Sequence, residues 1–119
     1  MPIFVVHKHS ATHLHWDLRL EMHGVLKSWA VPKQPPLKKD MKRLAIQVED
    51  HALSYATFKG TIPEGQYGAG KVEILDKGTY ELVEQEKNKL VVKFKGKRLK
   101  GDYVLLLFRP PKNWLFFKK

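Results

Sequence analysis

Residues 14–21 alternate apolar and polar side chains without a break. Leu14, Trp16, Leu18 and Leu20 point to one side of an extended chain; His15, Asp17, Arg19 and Glu21 point to the other. A period of two belongs to a strand, and similar short runs recur along the chain. Met22-His23-Gly24 reads as a hairpin turn into a strand over residues 25–31, which Pro32, Pro35 and Pro36 bring to an end. Residues 43–50 alternate again, with Leu44, Ile46 and Val48 on the apolar side. Residues 71–75 and 79–83 flank Asp76-Lys77-Gly78, which reads as a second hairpin. Runs over residues 90–94, 102–109 and 114–117 complete a set of roughly eight strands. No segment keeps a helical period for three turns. The pattern predicts an all-β fold, either a small antiparallel β-barrel or a two-sheet sandwich, with one short helix near residues 36–42.

With 119 residues, 43% of them hydrophobic, the chain can fill one core over a single domain spanning residues 1–119, and not two. Lysine and arginine number 22 against 12 acidic residues, a formal net charge of +10. A field of that sign draws in polyanions, of which nucleic acid is the usual one for a small soluble protein; simple solubility is the plainer alternative. The absence of cysteine removes disulfides and thiolate ligands, so any metal must be held by nitrogen and oxygen. The longest nonpolar run, residues 103–108, is too short to cross a bilayer, and the first residues lack the apolar stretch of a signal peptide. These features predict a soluble cytoplasmic protein with no membrane partner.

The polar face of residues 14–21 carries the most chemistry. Side chains two apart on a strand are rooted about 6.5–7 Å apart and can converge on one ion. His15 and Asp17 would supply two ligands of a divalent metal, and His9, six residues upstream, a third after a bend. Two imidazoles and a carboxylate leave three positions of an octahedral ion for water or phosphate oxygens. Mn²⁺ suits that mixture, although affinity alone would not reject Zn²⁺, Fe²⁺ or Co²⁺. The plainer alternative is an exposed strand that carries these polar residues by chance. Arg19, next on the same face, offers a planar fork matched to phosphate; considered alone it would be a surface ion pair with Glu21 or another acid.

His51 follows Glu49-Asp50 at a strand end, where a loop opens, and could donate to phosphate or act as general acid; capping a turn is the alternative. Tyr55 lies four residues on and by itself reads as a core or edge aromatic. Lys33 and Arg43 flank the proline loop as candidate contacts to a nucleic-acid backbone, and singly each reads as a solvated charge. By alternation His7 shares a face with His9, which makes it a candidate neighbour of the metal; His13 and His23 have no assigned role. The glycine-rich run over residues 65–70 is too irregular for a phosphate-binding loop and reads as a tight connection.

Several motifs in fixed order resemble the 3′-phosphoesterase domain of bacterial DNA ligase D. They are Phe4-Val5-Val6-His7-Lys8-His9, Leu14-His15-Trp16-Asp17-Leu18-Arg19-Leu20-Glu21 and Gly24-Val25-Leu26-Lys27-Ser28-Trp29-Ala30-Val31-Pro32-Lys33. Arg43-Leu44-Ala45-Ile46-Gln47-Val48-Glu49-Asp50-His51, Ile62-Pro63-Glu64-Gly65-Gln66-Tyr67-Gly68-Ala69-Gly70 and Trp114-Leu115-Phe116-Phe117-Lys118-Lys119 continue the likeness over nearly the whole chain. With no length remaining for polymerase or ligase domains, the chain is similar to the free-standing archaeal members. The resemblance implies a β-barrel with an active-site groove on its outer surface, and Mn²⁺ held by His9, His15 and Asp17. It implies phosphate held by Arg19 and His51, with Tyr55 nearby. It further implies removal of a terminal 3′ ribonucleoside and then of the 3′-phosphate, on DNA or DNA ending in a ribonucleotide, for a separate ligase and polymerase of a repair pathway. His7 stands where the family usually has glutamine, and Trp16 replaces a smaller aromatic. Many bacterial members carry an upstream basic extension linked to the ribonucleoside step, whereas this sequence starts close to its first strand.

Two other readings make different demands. A non-haem iron oxygenase would ligate with His15, Asp17 and His51 rather than with His9. A non-catalytic nucleic-acid-binding barrel would need the basic surface and the aromatic residues, and no convergence of His9, His15 and Asp17.

Overall fold

The computed structural model describes residues 1–66 and 69–119. Among the described residues nine strands form a single antiparallel sheet: β1 (Ile3–Ser10), β2 (Leu14–Met22), β3 (Val25–Val31), β4 (Lys42–His51), β5 (Gly60–Ile62), β6 (Gly70–Glu86), β7 (Lys89–Lys95), β8 (Lys100–Arg109) and β9 (Asn113–Lys118). A 3₁₀ turn, Leu53–Thr57, links β4 to β5. The sheet runs β1-β2-β3-β4-β9-β8-β7-β6-β5, and β6 pairs back onto β1. Because β5 only flanks β6, eight of the nine strands make a closed ring. The alternative of a sandwich is thereby settled in favour of a barrel. Closure leaves no free edge among the ring strands.

Alternation decides which side chains enter the barrel. Phe4, Val6, Leu18, Leu20, Trp29 and Val31 of β1–β3 face inward, where they meet Tyr80, Phe94, Tyr103, Leu105 and Phe116. The rings of Phe94 and Tyr103 lie 5.1 Å apart and those of Tyr103 and Phe116 5.3 Å, so aromatic side chains fill the lumen. Leu14, at the first position of β2, is exposed and does not join that core. A second, smaller cluster of Val5, Leu26 and Ala56 lies outside the wall, under the 3₁₀ turn. Among the described residues no helix is long and apolar enough to cross a membrane.

The hairpin from β2 to β3 forms where the sequence predicts it. Its two loop residues, His23 (φ 52°) and Gly24 (φ 81°), both adopt the left-handed conformation that matches the twist of the flanking strands. Two other expectations are corrected. Asp76-Lys77-Gly78 is no turn, since β6 runs through it from Gly70 to Glu86. The turn-like residues serve packing instead. The buried Asp76 carboxylate accepts from the backbone N–H groups of Lys77 (2.9 Å), Lys97 (3.0 Å), Arg98 (2.9 Å) and Leu99 (2.8 Å), and so closes the β7–β8 connection. A Cβ on Gly78 would stand 2.3 Å from the Lys95 carbonyl oxygen. Nor does a helix form over residues 36–42, where Asp40 turns to φ 68° and Lys39 bridges to Lys118. The helical turn lies instead at Leu53–Thr57, too short for a period to show in the sequence. Of the glycine-rich connection over residues 65–70, Tyr67 and Gly68 lie outside the described residues.

Two outcomes are expected. Asp76→Ala strips the acceptor from four backbone donors and should cost about 2–4 kcal/mol in urea unfolding. Tyr80 donates its hydroxyl to the Glu21 carbonyl (2.6 Å) and Tyr103 to that of Pro36 (2.8 Å), and burial pushes both phenols up to about 12. An unfolded tyrosine ionises near pH ~10, so above that pH the unfolded chain holds fewer protons than the folded one. The stabilisation is complete below about pH 10 and is lost as the pH rises toward 12. Chemical denaturation over that window should show the fall, and Tyr80→Phe and Tyr103→Phe should each flatten it.

Candidate active site

The outward faces of β1 and β2 carry the polar residues that the inward faces exclude. Register sets them side by side: His9 lies opposite His15, and His7 opposite Asp17. On the other flank of β2, Asp17 lies opposite Ala30 and Arg19 opposite Ser28. The small side chains of β3 leave room above the sheet. The 3₁₀ turn contributes Tyr55 and the end of β4 contributes His51, so a cavity of about 490 Å³ forms, lined by His9, His15, Asp17, Arg19, His51 and Tyr55 among others.

Asp17 is buried at its centre. Its Oδ1 lies 3.3 Å from His15 Nε2, and its Oδ2 lies 3.7 Å from His9 Nδ1 and 3.3 Å from Arg19 Nη2. Ligand atoms of His9, His15 and Asp17 all fall within 4.8 Å of one another, near enough to engage one cation. The imidazole of His15 is oriented for this, because its Nδ1–H donates to the His13 carbonyl (3.2 Å) and leaves Nε2 turned to Asp17. Burial pushes the Asp17 carboxyl up, but the His15 hydrogen bond and the Arg19 charge outweigh it, and the group stays below its ordinary value as an anion. Hydrogen bonding to Asp17 holds His15 above its ordinary value, against the cost of burial. Two imidazoles and a carboxylate so gathered match the nitrogen and oxygen donors that a first-row divalent ion takes.

Arg19 forms the floor. Its Nε–H donates to His7 Nδ1 (3.0 Å), Nη1 to Ser28 Oγ (2.8 Å) and Nη2 to Asp17 Oδ2 (3.3 Å), while the Tyr55 ring lies 4.9 Å from the guanidinium carbon. The expected alternative of an Arg19–Glu21 pair gives way to the pair with Asp17, and Glu21 accepts from the Ile3 N–H instead (2.9 Å). His51 Nδ1 lies 3.1 Å from both Arg19 Nη1 and the Glu49 carbonyl. A donor, the guanidinium, and an acceptor, the carbonyl, thus face the same ring nitrogen. Burial, with the Arg19 charge beside it, lowers His51. The same two causes lower His7 to about 4, so its ring is neutral. The ligand set required by the oxygenase reading is not the one that gathers. His51 abuts the Arg19 guanidinium, a fixed positive charge that would repel a cation held there.

Lys33 and Arg43 are not brought in. Arg43 donates to the Gln34 carbonyl (2.8 Å), one residue beyond the exposed Lys33, and neither is among the described residues lining the cavity. Conversely, Ser28 had no role by sequence. A single serine in a strand gives no sign of its purpose until the register sets it opposite Arg19.

The family described as DNA Ligase D 3'-phosphoesterase domain matches residues 7–107 of the chain. The chain is similar to the multifunctional non-homologous end joining protein LigD of Pseudomonas aeruginosa, 48% identical over 108 residues that make up 87% of this chain and 13% of that protein. It is 48% identical over 107 residues to the multifunctional non-homologous end joining DNA repair protein LigD of Mycobacterium tuberculosis, covering 87% of this chain and 14% of that one. A third relative, the multifunctional non-homologous end joining protein LigD of Mycolicibacterium smegmatis, is 41% identical over 123 aligned positions, which cover 94% of this chain and 16% of its own length. The chain therefore spans 13–16% of the length of these relatives.

The three-donor cluster predicts divalent-ion binding that depends on each member. In calorimetric titration with Mn²⁺, His15→Ala and Asp17→Ala should each weaken binding by more than the ~10–100-fold typical of losing a residue that only supports a ligand. Arg43→Ala should leave it unchanged.

Proposed function

The chain belongs to the DNA ligase D 3′-phosphoesterase domain family, and on that footing we propose that it is a Mn²⁺-dependent enzyme that heals blocked 3′ ends of nucleic acid. Its substrates are DNA ends that carry a 3′-phosphate or a terminal ribonucleoside. Cleavage of the last phosphodiester releases the ribonucleoside and leaves a 3′-phosphate; hydrolysis of that monoester leaves a 3′-hydroxyl. The observation that carries the reading is the single cavity in which His9, His15 and Asp17 stand beside Arg19 and His51. Two of the relatives above are named as non-homologous end joining proteins and one as an end joining DNA repair protein, which supports a role ahead of a ligase and a polymerase in end repair.

His9, His15 and Asp17 would hold the ion, whose chemistry is Lewis-acid polarisation of a phosphoryl oxygen. This chain's own side chains do the rest. Arg19 is a fixed positive charge in a largely buried setting, where electrostatic stabilisation of a phosphoryl group exceeds its value in water. In the tautomer this reading requires, His51 Nδ1 accepts from Arg19 and its Nε2–H donates to a phosphate oxygen or to the departing 3′ oxygen. Tyr55, packed between His51 and Phe58, walls the cavity against bulk water. In the hydrolysis a water oxygen bonds to phosphorus, the bond from phosphorus to the leaving oxygen breaks, and that oxygen takes up a proton. The net charge of +10 favours approach of a polyanion from any direction.

The experiment is phosphate release from a DNA primer ending in a 3′-phosphate, with Mn²⁺, alongside nucleoside release from a primer ending in one ribonucleotide. His15→Ala, Asp17→Ala and Arg19→Ala should each slow the first reaction by at least ~100-fold, or about 3 kcal/mol. Near-normal turnover in all three would end the proposal. A wild-type protein that binds the primer and releases nothing would be a binding barrel only.

A further inference from the structure

His7 is fully buried, faces outward from the barrel, and belongs to neither the three-donor cluster nor the cavity lining. Both its ring nitrogens are nonetheless committed. Nδ1 accepts the Arg19 Nε–H at 3.0 Å, so the ring proton resides on Nε2, which donates to the Phe58 carbonyl at 3.0 Å. Phe58 follows the 3₁₀ turn, its N–H donates to the Tyr55 carbonyl (3.1 Å), and its ring stacks on that of Tyr55 at 5.0 Å. The His7 ring also meets the Tyr55 ring edge-on at 5.4 Å. One imidazole thus joins the guanidinium on β2 to the segment that carries Tyr55.

We propose that His7 is a positioning residue: one neutral imidazole tautomer fixes the plane of the Arg19 guanidinium and ties it to the Tyr55 segment, so that the cation faces phosphate in a single orientation. The proposal rests on the phosphoesterase reading of the site. Ser28 and His51 contact Nη1 of Arg19 and Asp17 holds Nη2, so that about the line joining those nitrogens chiefly the side chain's own torsions resist tipping. The third anchor, at Nε, removes that freedom. The chemistry of the anchor matters too. A carboxylate at position 7 would accept the same hydrogen bond, but its charge would offset that of Arg19 and compete with phosphate for it. A neutral ring accepts at one nitrogen, donates at the other, and leaves the cationic charge undiminished.

Three variants separate these features. His7→Gln keeps a neutral acceptor and a donor on one side chain; His7→Leu keeps similar bulk and loses both; His7→Glu keeps the acceptor and adds a charge. On the 3′-phosphate primer, His7→Gln should stay within a few-fold of wild type. His7→Leu and His7→Glu should lose tenfold or more in kcat, toward the ~10²-fold that misplacing a reacting group costs, with Mn²⁺ affinity unchanged. In an Arg19→Lys background, which has no Nε–H to donate, His7→Leu should cost nothing further. Equal activity of Leu and Gln variants, or a Leu penalty undiminished in the Arg19→Lys background, would overturn the proposal. Should His7→Leu fail to fold, the wild-type protein decides by ¹H–¹⁵N spectroscopy with diamagnetic Zn²⁺. A His7 ring protonated at Nε2 only, with coupling from the Arg19 Nε–H across to Nδ1, is expected; a proton on Nδ1 refutes it. An inactive wild type with the expected ring state would defeat the phosphoesterase reading and leave the anchoring intact.

Discussion

Arginine keeps its charge in any surroundings a protein can offer, so burying one obliges the structure to build acceptors around it. Arg19 is 4% exposed, and the outer wall of this barrel is organised by that obligation. His7 meets its Nε, Ser28 and His51 its Nη1, and Asp17 its Nη2. These partners come from β1, β2, β3 and the end of β4, so four neighbouring strands are keyed to one side chain. Asp17 balances the charge, and the same carboxylate faces the two imidazoles. A phosphate-matching cation and a three-donor cluster are therefore coupled through a single anion.

Closure of the ring explains why this chemistry lies outside the barrel. The lumen is packed with Phe94, Tyr103, Phe116 and their neighbours, and the cavity that gathers the polar side chains lies on the outer face. The outward face of β1–β3 is where alternation exposes the complementary set of side chains, and there the 3₁₀ turn builds the wall of a groove. A site rooted on paired strands inherits their rigidity: His9, Asp17 and Arg19 are paired on both sides, and His15 and His51 on one. Asp76 shows the same economy on the far side of β1: one carboxylate organises the β7–β8 connection, and the strand that carries it passes on unbroken to pair with β7.

Much of this was legible in the amino-acid order. A row of His15, Asp17 and Arg19 at a spacing of two reads as one face of a strand, and Leu18 and Leu20, on either side of Arg19, say which face is buried. Gly24 after His23 marked the first hairpin because a two-residue turn needs left-handed residues. The second hairpin was misjudged for a physical reason. Asp-Lys-Gly has turn chemistry in isolation, whereas here the aspartate caps a distant loop and the glycine is required by a close carbonyl, and neither demand is local. Lys33 and Arg43, grouped by their proximity to a proline loop, stand apart from the cavity because Arg43 is occupied in holding that loop.

The sequence by itself determined the all-β character, the inward and outward faces of β2, and the residue types available for a metal and a phosphate, since these follow from side-chain period and chemistry along single strands; on β4 the expected apolar side, Leu44, Ile46 and Val48, is corrected, because Ala45 enters the core while Leu44 is exposed and Val48 lines the outer cavity. Only the tertiary structure decided the ring's closure through β1 and β6, the partners of Arg19, the ring state of His7, and the separation of His51 from the cluster of His9, His15 and Asp17. Those depend on register between strands far apart in the chain. Register is settled by the simultaneous packing of a closed sheet, a condition that no single segment carries.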